Sequence, residues 1–306
     1  MALKVGFIGL GIMGSRMAAN LRTHNYDLVV FNRTPDKAEP LVREGAKRGA
    51  SPAAVAAEAD VLFTMLADPE AVAEAALGAT GFLSTLRPGS IWVNCGTVNP
   101  SFARRMAAQA AARSVRYLDA PVTGSKDAAA KGELLFLVGG DAADLEICRP
   151  LLVCMGSRIV HVGGPGLGSA LKMVNNLFGA LAMAAFAEGA ALGQALGISR
   201  QIMFDTLIGG PMVAPMISVK RGKIEREDYA PDFSLRWIHK DLHLASISGY
   251  EAGVPLPVAN VAKELYQLAM RDGYADQDFS ALYAFVNEPA VRDRRPIARE
   301  PVRKAG

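Results

Sequence analysis

The 306-residue sequence predicts an α/β domain followed by an all-α domain, the two joined by a long helix. Three observations predict it. Short apolar runs of strand length alternate with helix-start signals over the first half of the chain. A loop punctuated by glycine, Gly163-Gly164-Pro165-Gly166-Leu167-Gly168, interrupts that pattern. Beyond it the period-2 signal vanishes, and residues 169–196 carry apolar side chains at helical spacing without a proline. The length fits two domains, since one core rarely serves more than about 250 residues.

The expected strands are residues 5–8, 28–31, 61–65, 91–93, 115–118, 134–138 and 159–162. Apart from the short strand at 115–118, their apolar character suits parallel strands covered on both faces. Thr34-Pro35, Ser51-Pro52, Asp68-Pro69 and Asn99-Pro100 each place a capping residue before a proline at the first helical position. Gly45 and Gly78 stand where a glycine would end the preceding helix. Strand–helix alternation of this kind reads as a doubly wound sheet. The domains are therefore expected at 1–163 and 164–286. A polar basic tail, 287–306, follows, rich in Pro, Arg and Glu. It reads as solvated chain, with an interaction arm as the other possibility.

Gly9-Leu10-Gly11-Ile12-Met13-Gly14 follows the first strand and opens a helix. The spacing alone is a weak signal and also fits a plain glycine turn. In this context it is a dinucleotide fingerprint of the Rossmann type. The first glycine makes the tight turn, the second lets a pyrophosphate approach the backbone, and the third lets helix and strand pack closely. The helix N-terminus then offers N–H groups to the phosphates.

The tip of the second strand separates the two nicotinamide cofactors. An NAD enzyme usually carries Asp or Glu there for the ribose 2′-hydroxyl. Here the tip reads Asn32-Arg33-Thr34, without an acid. Arg33 suits a 2′-phosphate, with Asn32 and Thr34 as hydrogen-bonding neighbours, so NADP(H) is the expected cofactor. Asp36 follows Pro35 and is expected in the first turn of the next helix, facing its dipole.

The second-half helix contains Gly168, Lys172 and Asn176 at four-residue spacing, hence on one face, with Gly179 and Met183 continuing it. A lysine and an asparagine inside an apolar helix cost free energy unless they serve a polar site. The flanking glycines read as room for a ligand, and Met183 as core. A lysine snorkelling from a helix start is the competing reading. Asp119-Ala120-Pro121-Val122-Thr123-Gly124-Ser125-Lys126 follows a strand and offers hydroxyls and accessible backbone N–H groups to a substrate carboxylate. It also reads as an ordinary turn.

Together, these three motifs resemble the β-hydroxyacid dehydrogenases, a family that includes 3-hydroxyisobutyrate and tartronate semialdehyde dehydrogenases. The resemblance runs over about residues 3–285 and extends to Lys240-Asp241-Leu242 and Asp278-Phe279-Ser280-Ala281. Gly124-Ser125-Lys126 and Ala230-Pro231-Asp232-Phe233 are similar to the glyoxylate and succinic semialdehyde reductases of that family. The hydroxyisobutyrate enzymes usually carry a second glycine in the first of these segments.

The resemblance implies hydride transfer between a nicotinamide and a small semialdehyde or hydroxy acid. It makes Lys172 the catalytic acid/base. It assigns Thr123, Gly124, Ser125, Asn176 and Phe233 to the substrate. It assigns Met65, Leu66, Thr97 and Lys240 to the cofactor, beside Gly9, Leu10, Gly11, Ile12, Met13, Gly14, Asn32, Arg33 and Thr34. It also implies a homodimer or homotetramer, with helix 180–196 near the interface. Two departures stand out: Thr123 replaces the commoner serine, and Asn94-Cys95-Gly96-Thr97 replaces the commoner Asp-x-Ser-Thr. A 3-hydroxyisobutyrate or tartronate semialdehyde dehydrogenase is the alternative within the family. Imine reductases generally lack the lysine. A non-catalytic NADPH-binding scaffold is the alternative of another class.

The remaining features exclude more than they assign. A formal net charge of +3 is too mild for nucleic-acid or membrane binding and suits an anionic substrate. Three cysteines without Cys-x-x-Cys spacing fit a reducing compartment, and the start of the chain does not read as a signal peptide. A cytoplasmic enzyme is the expectation. His239 and His243 share a helix face but have no third ligand at suitable spacing, so no metal is expected.

Overall fold

A computed structural model of the chain describes residues 3–287. The expected 288–306 part of the tail lies outside them. The first half is built in the order β1 (Lys4–Ile8), α1 (Ile12–Thr23), β2 (Asp27–Phe31), α2 (Glu39–Arg43), β3 (Lys47–Arg48), α3 (Pro52–Glu58), β4 (Val61–Thr64), α4 (Pro69–Leu77), β5 (Ile91–Asn94) and α5 (Pro100–Ala111). It continues through β6 (Arg116–Asp119), β7 (Val122–Thr123), α6 (Lys126–Lys131), β8 (Leu134–Gly139), α7 (Ala142–Met155) and β9 (Gly156–Gly163). The second half is helical: α8 (Leu167–Ala195), α9 (Arg200–Leu207), α10 (Pro215–Arg226), α11 (Leu235–Ala252), α12 (Pro257–Ala269) and α13 (Leu282–Asn287).

The strands form one sheet ordered β3-β2-β1-β4-β5-β6-β8-β7, with β9 on β8. From β3 to β6 every pairing is parallel, and β8 runs antiparallel to β6 through Asp119 and Gly139. The order reverses between β1 and β4, so a crevice opens at their carboxyl ends. Alternate side chains of each strand enter different cores. Val5 and Phe7 join Met17, Leu21, Cys148 and Leu151 on the face of α1 and α7. Ile8, Leu62 and Trp92 join Val55, Val72 and Phe102 on the face of α3, α4 and α5. A third core, around Met183, Ile217, Leu242 and Tyr266, belongs to the helices alone.

The local signals act as their chemistry requires. Ser51 Oγ and Asp68 Oδ1 cap the first turns of α3 and α4, accepting from Ala54 N and Ala71 N. Thr34 and Asn99 precede their prolines without a capping side-chain bond. The two-residue strands β3 and β7 are additions to the sequence reading. Each is too short for periodicity to register.

Helix α8 joins the halves. It is long and apolar enough to cross a membrane by length and composition, yet here it packs on β8, β9, α11, α12 and α13. Ala180, Ala184, Ala187 and Ala190 are buried in the chain's own cores. Its exposed apolar side chains include Leu171, Val174 and Phe178 nearer its start and Leu192 within the 180–196 stretch.

Candidate active site

The glycine loop lies at the reversal of strand order. Gly9 has φ +98°, and a Cβ there would meet the Met65 carbonyl at 2.3 Å. A Cβ at Gly14 would meet the Gly9 carbonyl at 2.0 Å, which is the close helix–strand contact that only glycine permits. Gly11 has nothing within 4 Å of a Cβ, so the cradle above the start of α1 is open. The residues present therefore fit a bound pyrophosphate.

Asn32 Oδ1 accepts from Leu10 N at 2.9 Å, and its Nδ2 donates to Thr34 O at 3.0 Å. Both ends of this amide hold the loop together, a task the sequence reading had not given it. Arg33 is exposed and makes no hydrogen bond or ion pair among the described residues. Met65 and Leu66 follow β4 beside Gly9. Asn94 Oδ1 accepts from Thr64 Oγ1 at 2.9 Å and more weakly from Gly96 N at 3.4 Å, so this asparagine ties the end of β5 to β4 and to the start of the unusual Asn94-Cys95-Gly96-Thr97 run.

Lys172 sits in the second turn of α8, 9% exposed. The start of that helix is fastened to the sheet by Asp119, a fully buried carboxylate at the end of β6. Asp119 Oδ1 accepts from Gly166 N and Oδ2 from Ser169 N, each at 2.7 Å. Burial pushes this carboxyl's pKa upward, while the two backbone N–H groups favour its ionised form. Gly168 does not leave room for a ligand as the sequence suggested. A Cβ there would lie 2.3 Å from Leu137 O, so the glycine lets α8 lie directly on the sheet. Gly179 has open space around it.

Asn176, one turn beyond Lys172, donates through Nδ2 to Asp241 Oδ2 at 2.5 Å. The other oxygen of Asp241 pairs with Lys240 Nζ at 2.8 Å. Lys240 also donates to Ala67 O at 2.9 Å and Thr97 O at 3.0 Å. That ammonium, expected on the cofactor, bridges α11 to the loops after β4 and β5. Burial lowers the pKa of Lys172 to about 8, against an upward pull from Asp241 and with a further push down from Lys240. The lysine is thereby poised between its charged and neutral forms near neutral pH.

Thr123 ends β7, and Gly124 has φ +138° with Leu134 and Ala128 against it. Ser125 Oγ caps α6 by accepting from Ala128 N at 3.2 Å, which leaves its O–H to donate elsewhere. Phe233 lies before α11 and meets Phe279 edge to face at 6.1 Å. Asp278 holds that segment. Its Oδ2 accepts from Asp232 N at 3.0 Å and Phe233 N at 3.3 Å. Sequence reasoning had named Asp119, Asp241 and Asp278 only as members of longer runs and had given none of them a catalytic task of its own. The signals were an acid at a strand end before Ala-Pro, an acid capping the Phe279-Ser280-Ala281 turn, and an acid beside a lysine on a helix.

A shallow hollow of about 730 Å³ between α5, the β8–α7 turn and the end of β9 shares no residue with this site. Arg116 there pairs with Asp144 at 2.9 Å, and His161 bonds Gly140 O.

A dinucleotide cradle, an open switch-point crevice and a buried, poised lysine define an NAD(P)-dependent oxidoreductase. Comparison with known proteins gives the family. Residues 4–163 match the NAD-binding domain of 6-phosphogluconate dehydrogenase, and residues 166–286 match the NAD-binding domain of NADP-dependent 3-hydroxyisobutyrate dehydrogenase. The chain belongs to the β-hydroxyacid dehydrogenase family. It is 38% identical to the chloroplastic glyoxylate/succinic semialdehyde reductase 2 of Arabidopsis thaliana, over 92% of this chain and 78% of that protein. It is 35% identical to the cytokine-like nuclear factor N-PAC of Xenopus tropicalis, again over 92% of this chain, but spans only about half (52%) of that protein's length. Mycobacterium tuberculosis 3-hydroxyisobutyrate dehydrogenase, in a structure with L-serine, has a TM-score of 0.85 at 32% identity. The match covers 94% of this chain and 99% of that one.

Proposed function

We propose that the protein is an NADPH-dependent reductase of small carboxylate-bearing aldehydes such as glyoxylate and succinic semialdehyde, with Lys172 as its acid/base. The observation that carries the reading is Lys172 itself: buried, lowered to about 8, and one helical turn from the Asn176–Asp241 pair. The 38% identity to the Arabidopsis reductase supports the substrate class. The free Arg33, without an acid at the strand tip, supports NADPH.

The cofactor, when bound, supplies hydride to the carbonyl carbon. The chain's own groups do the rest. The N–H groups at the start of α1 and the open space at Gly11 take the pyrophosphate. Thr123, Gly124 and the O–H of Ser125 offer donors to the substrate carboxylate. Asn176 is fixed by Asp241 and orients the substrate. Protonated Lys172 stabilises the developing alkoxide and passes its proton from Nζ to the carbonyl oxygen. Oxidation runs these roles in reverse.

A second reading is 3-hydroxyisobutyrate oxidation, favoured by the match of residues 166–286 and by the M. tuberculosis structure. Steady-state kinetics decide between the two. Glyoxylate or succinic semialdehyde reduction with NADPH at higher kcat/KM than 3-hydroxyisobutyrate oxidation is the expected result. A clear preference for 3-hydroxyisobutyrate with NAD would overturn it.

A further inference from the structure

Two segments assigned to the substrate, the Thr123-Gly124-Ser125 loop and Phe233, are more than a hundred residues apart in sequence, yet an ion pair joins their immediate neighbours. Lys126 Nζ lies 2.8 Å from Asp232 Oδ1. Lys126 opens α6, directly after the loop, and Asp232 directly precedes Phe233. The contact bridges the sheet half and the helical half of the chain.

The Asp232 side of the pair is rigidly held. Its backbone N–H donates to the buried Asp278, and Phe279 N donates to Phe233 O at 2.9 Å. Lys223 donates to Ala230 O two residues before it. Lys126 is the adjustable half: a long side chain, 34% exposed, with no other ion pair among the described residues.

The charges in this cluster do not balance. Lys220 Nζ is 2.9 Å from Asp278 and 3.4 Å from Asp232, and Lys223 Nζ is 3.5 Å from Asp232. Three ammonium groups, counting Lys126, thus share two carboxylates. Arg16 and Asp127 act on Lys126 from beyond this cluster, with opposite signs. The cluster as a whole carries one excess positive charge, and Lys126 is its member at the edge of the carboxylate-binding loop, where an anionic side chain already holds it.

We propose that the Lys126–Asp232 pair sets the spacing between carbonyl and carboxylate that the enzyme accepts. This rests on the reading of the chain as a reductase of carboxylate-bearing aldehydes. A carboxylate next to the carbonyl, as in glyoxylate, is held by the Thr123-Gly124-Ser125 loop and does not need Lys126. A carboxylate two methylene groups farther out, as in succinic semialdehyde, reaches Lys126 only in competition with Asp232. Asp232 is a specificity-determining residue that holds the longer substrate back, and Lys126 is the group that receives it.

The test uses the full chain as wild type, Asp232→Asn, Lys126→Gln and the double variant. Neutralising Asp232 frees one charge-assisted contact, so kcat/KM for succinic semialdehyde relative to glyoxylate rises about tenfold, through KM. Lys126→Gln lowers the same ratio, and the double variant follows Lys126→Gln. Equal changes for both aldehydes would overturn the proposal, because a contact that merely holds the halves together treats the two substrates alike. So would a Lys126→Gln effect confined to the KM for NADPH. A second arm uses the unreactive amides oxamate and succinamate as inhibitors of whichever substrate wild type turns over. Their inhibition constants must separate in the same pattern. Wild type that reduces neither aldehyde would defeat the proposed function alone, while unchanged amide ratios in Asp232→Asn would defeat this inference alone.

Discussion

Asn176 on α8 and Asp241 on α11 are joined by a 2.5 Å hydrogen bond, one helical turn from Lys172. The Asp241 carboxylate raises the pKa of that lysine against the larger, opposing effect of burial. Asp241→Asn removes the upward pull and leaves the burial. The apparent pKa governing kcat/KM for reduction should therefore fall below the wild-type value. A pH profile that stays in place would show that the carboxylate does not act on Lys172.

In the wild type, aldehyde reduction needs the charged form of Lys172, and alcohol oxidation needs the neutral form. With the lysine at about 8, kcat/KM for reduction should decline as pH rises through that value, and oxidation should climb through it. Profiles of the two directions at saturating cofactor check this. Parallel rather than opposed limbs would contradict the assignment.

Lys172→Ala removes the proton donor and leaves the glycine loop untouched. Loss of a general acid costs about 10²–10⁴ in rate, so kcat should fall by that order. Lys172→Arg should recover little, because guanidinium hardly gives up its proton. NADPH affinity by fluorescence titration should change no more than a few-fold. Near-normal kcat with lost NADPH binding would make the lysine a cofactor contact instead.

Arg33 and Asn32 are neighbours with different work. Arg33→Asp should weaken NADPH by about 1.5–3 kcal/mol while sparing NADH, since only NADPH carries the 2′-phosphate. Asn32→Ala should weaken both cofactors together, because its amide holds Leu10 N and Thr34 O in the loop. Dissociation constants for the four combinations separate the roles. A cofactor-selective Asn32→Ala would reverse them.

Two glycines of α8 should respond oppositely to alanine. Gly168→Ala forces a methyl to within 2.3 Å of Leu137 O and should cost about 1–3 kcal/mol. Gly179→Ala meets nothing within 4 Å and should stabilise by about 0.5–1 kcal/mol through helix propensity. Urea unfolding of both variants reads the difference.

The longer strands, the glycine fingerprint and the helix carrying Lys172 were legible because each has a local signal, which the two-residue β3 and β7 lack. Apolar runs mark strands, Gly9, Gly11 and Gly14 stand at fixed offsets, and Lys172 and Asn176 share a helical face. What escaped the sequence depends on partners far along the chain. Asp119 caps a helix 47 residues away, and Asp241 meets Asn176 across 65 residues. Nothing in either local segment announces such a pairing. Gly168 was misread for the same reason. A glycine on a polar face looks like ligand space until the carbonyl of Leu137 is seen to fill it.

The fastening of α8 to the sheet decides which parts of the site travel together. Asp119 grips the first turn of the helix, and Gly168 seats it against Leu137 and Gly139. Lys172 lies one turn on and shares the sheet's frame of reference, although its sequence neighbours belong to the helical half. Asp241 and Phe233 are carried by α11 and the segment before it, and α11 packs on the same α8 through Ala180, Met183, Ile238 and Leu242. The helix is therefore common property of both halves: Asp119 ties its start to the sheet, and the Asn176–Asp241 bond ties a later turn to α11. The acid/base and the carboxylate that tunes it belong to one packed body, so the poise of Lys172 is built into the seam between α8 and α11 themselves.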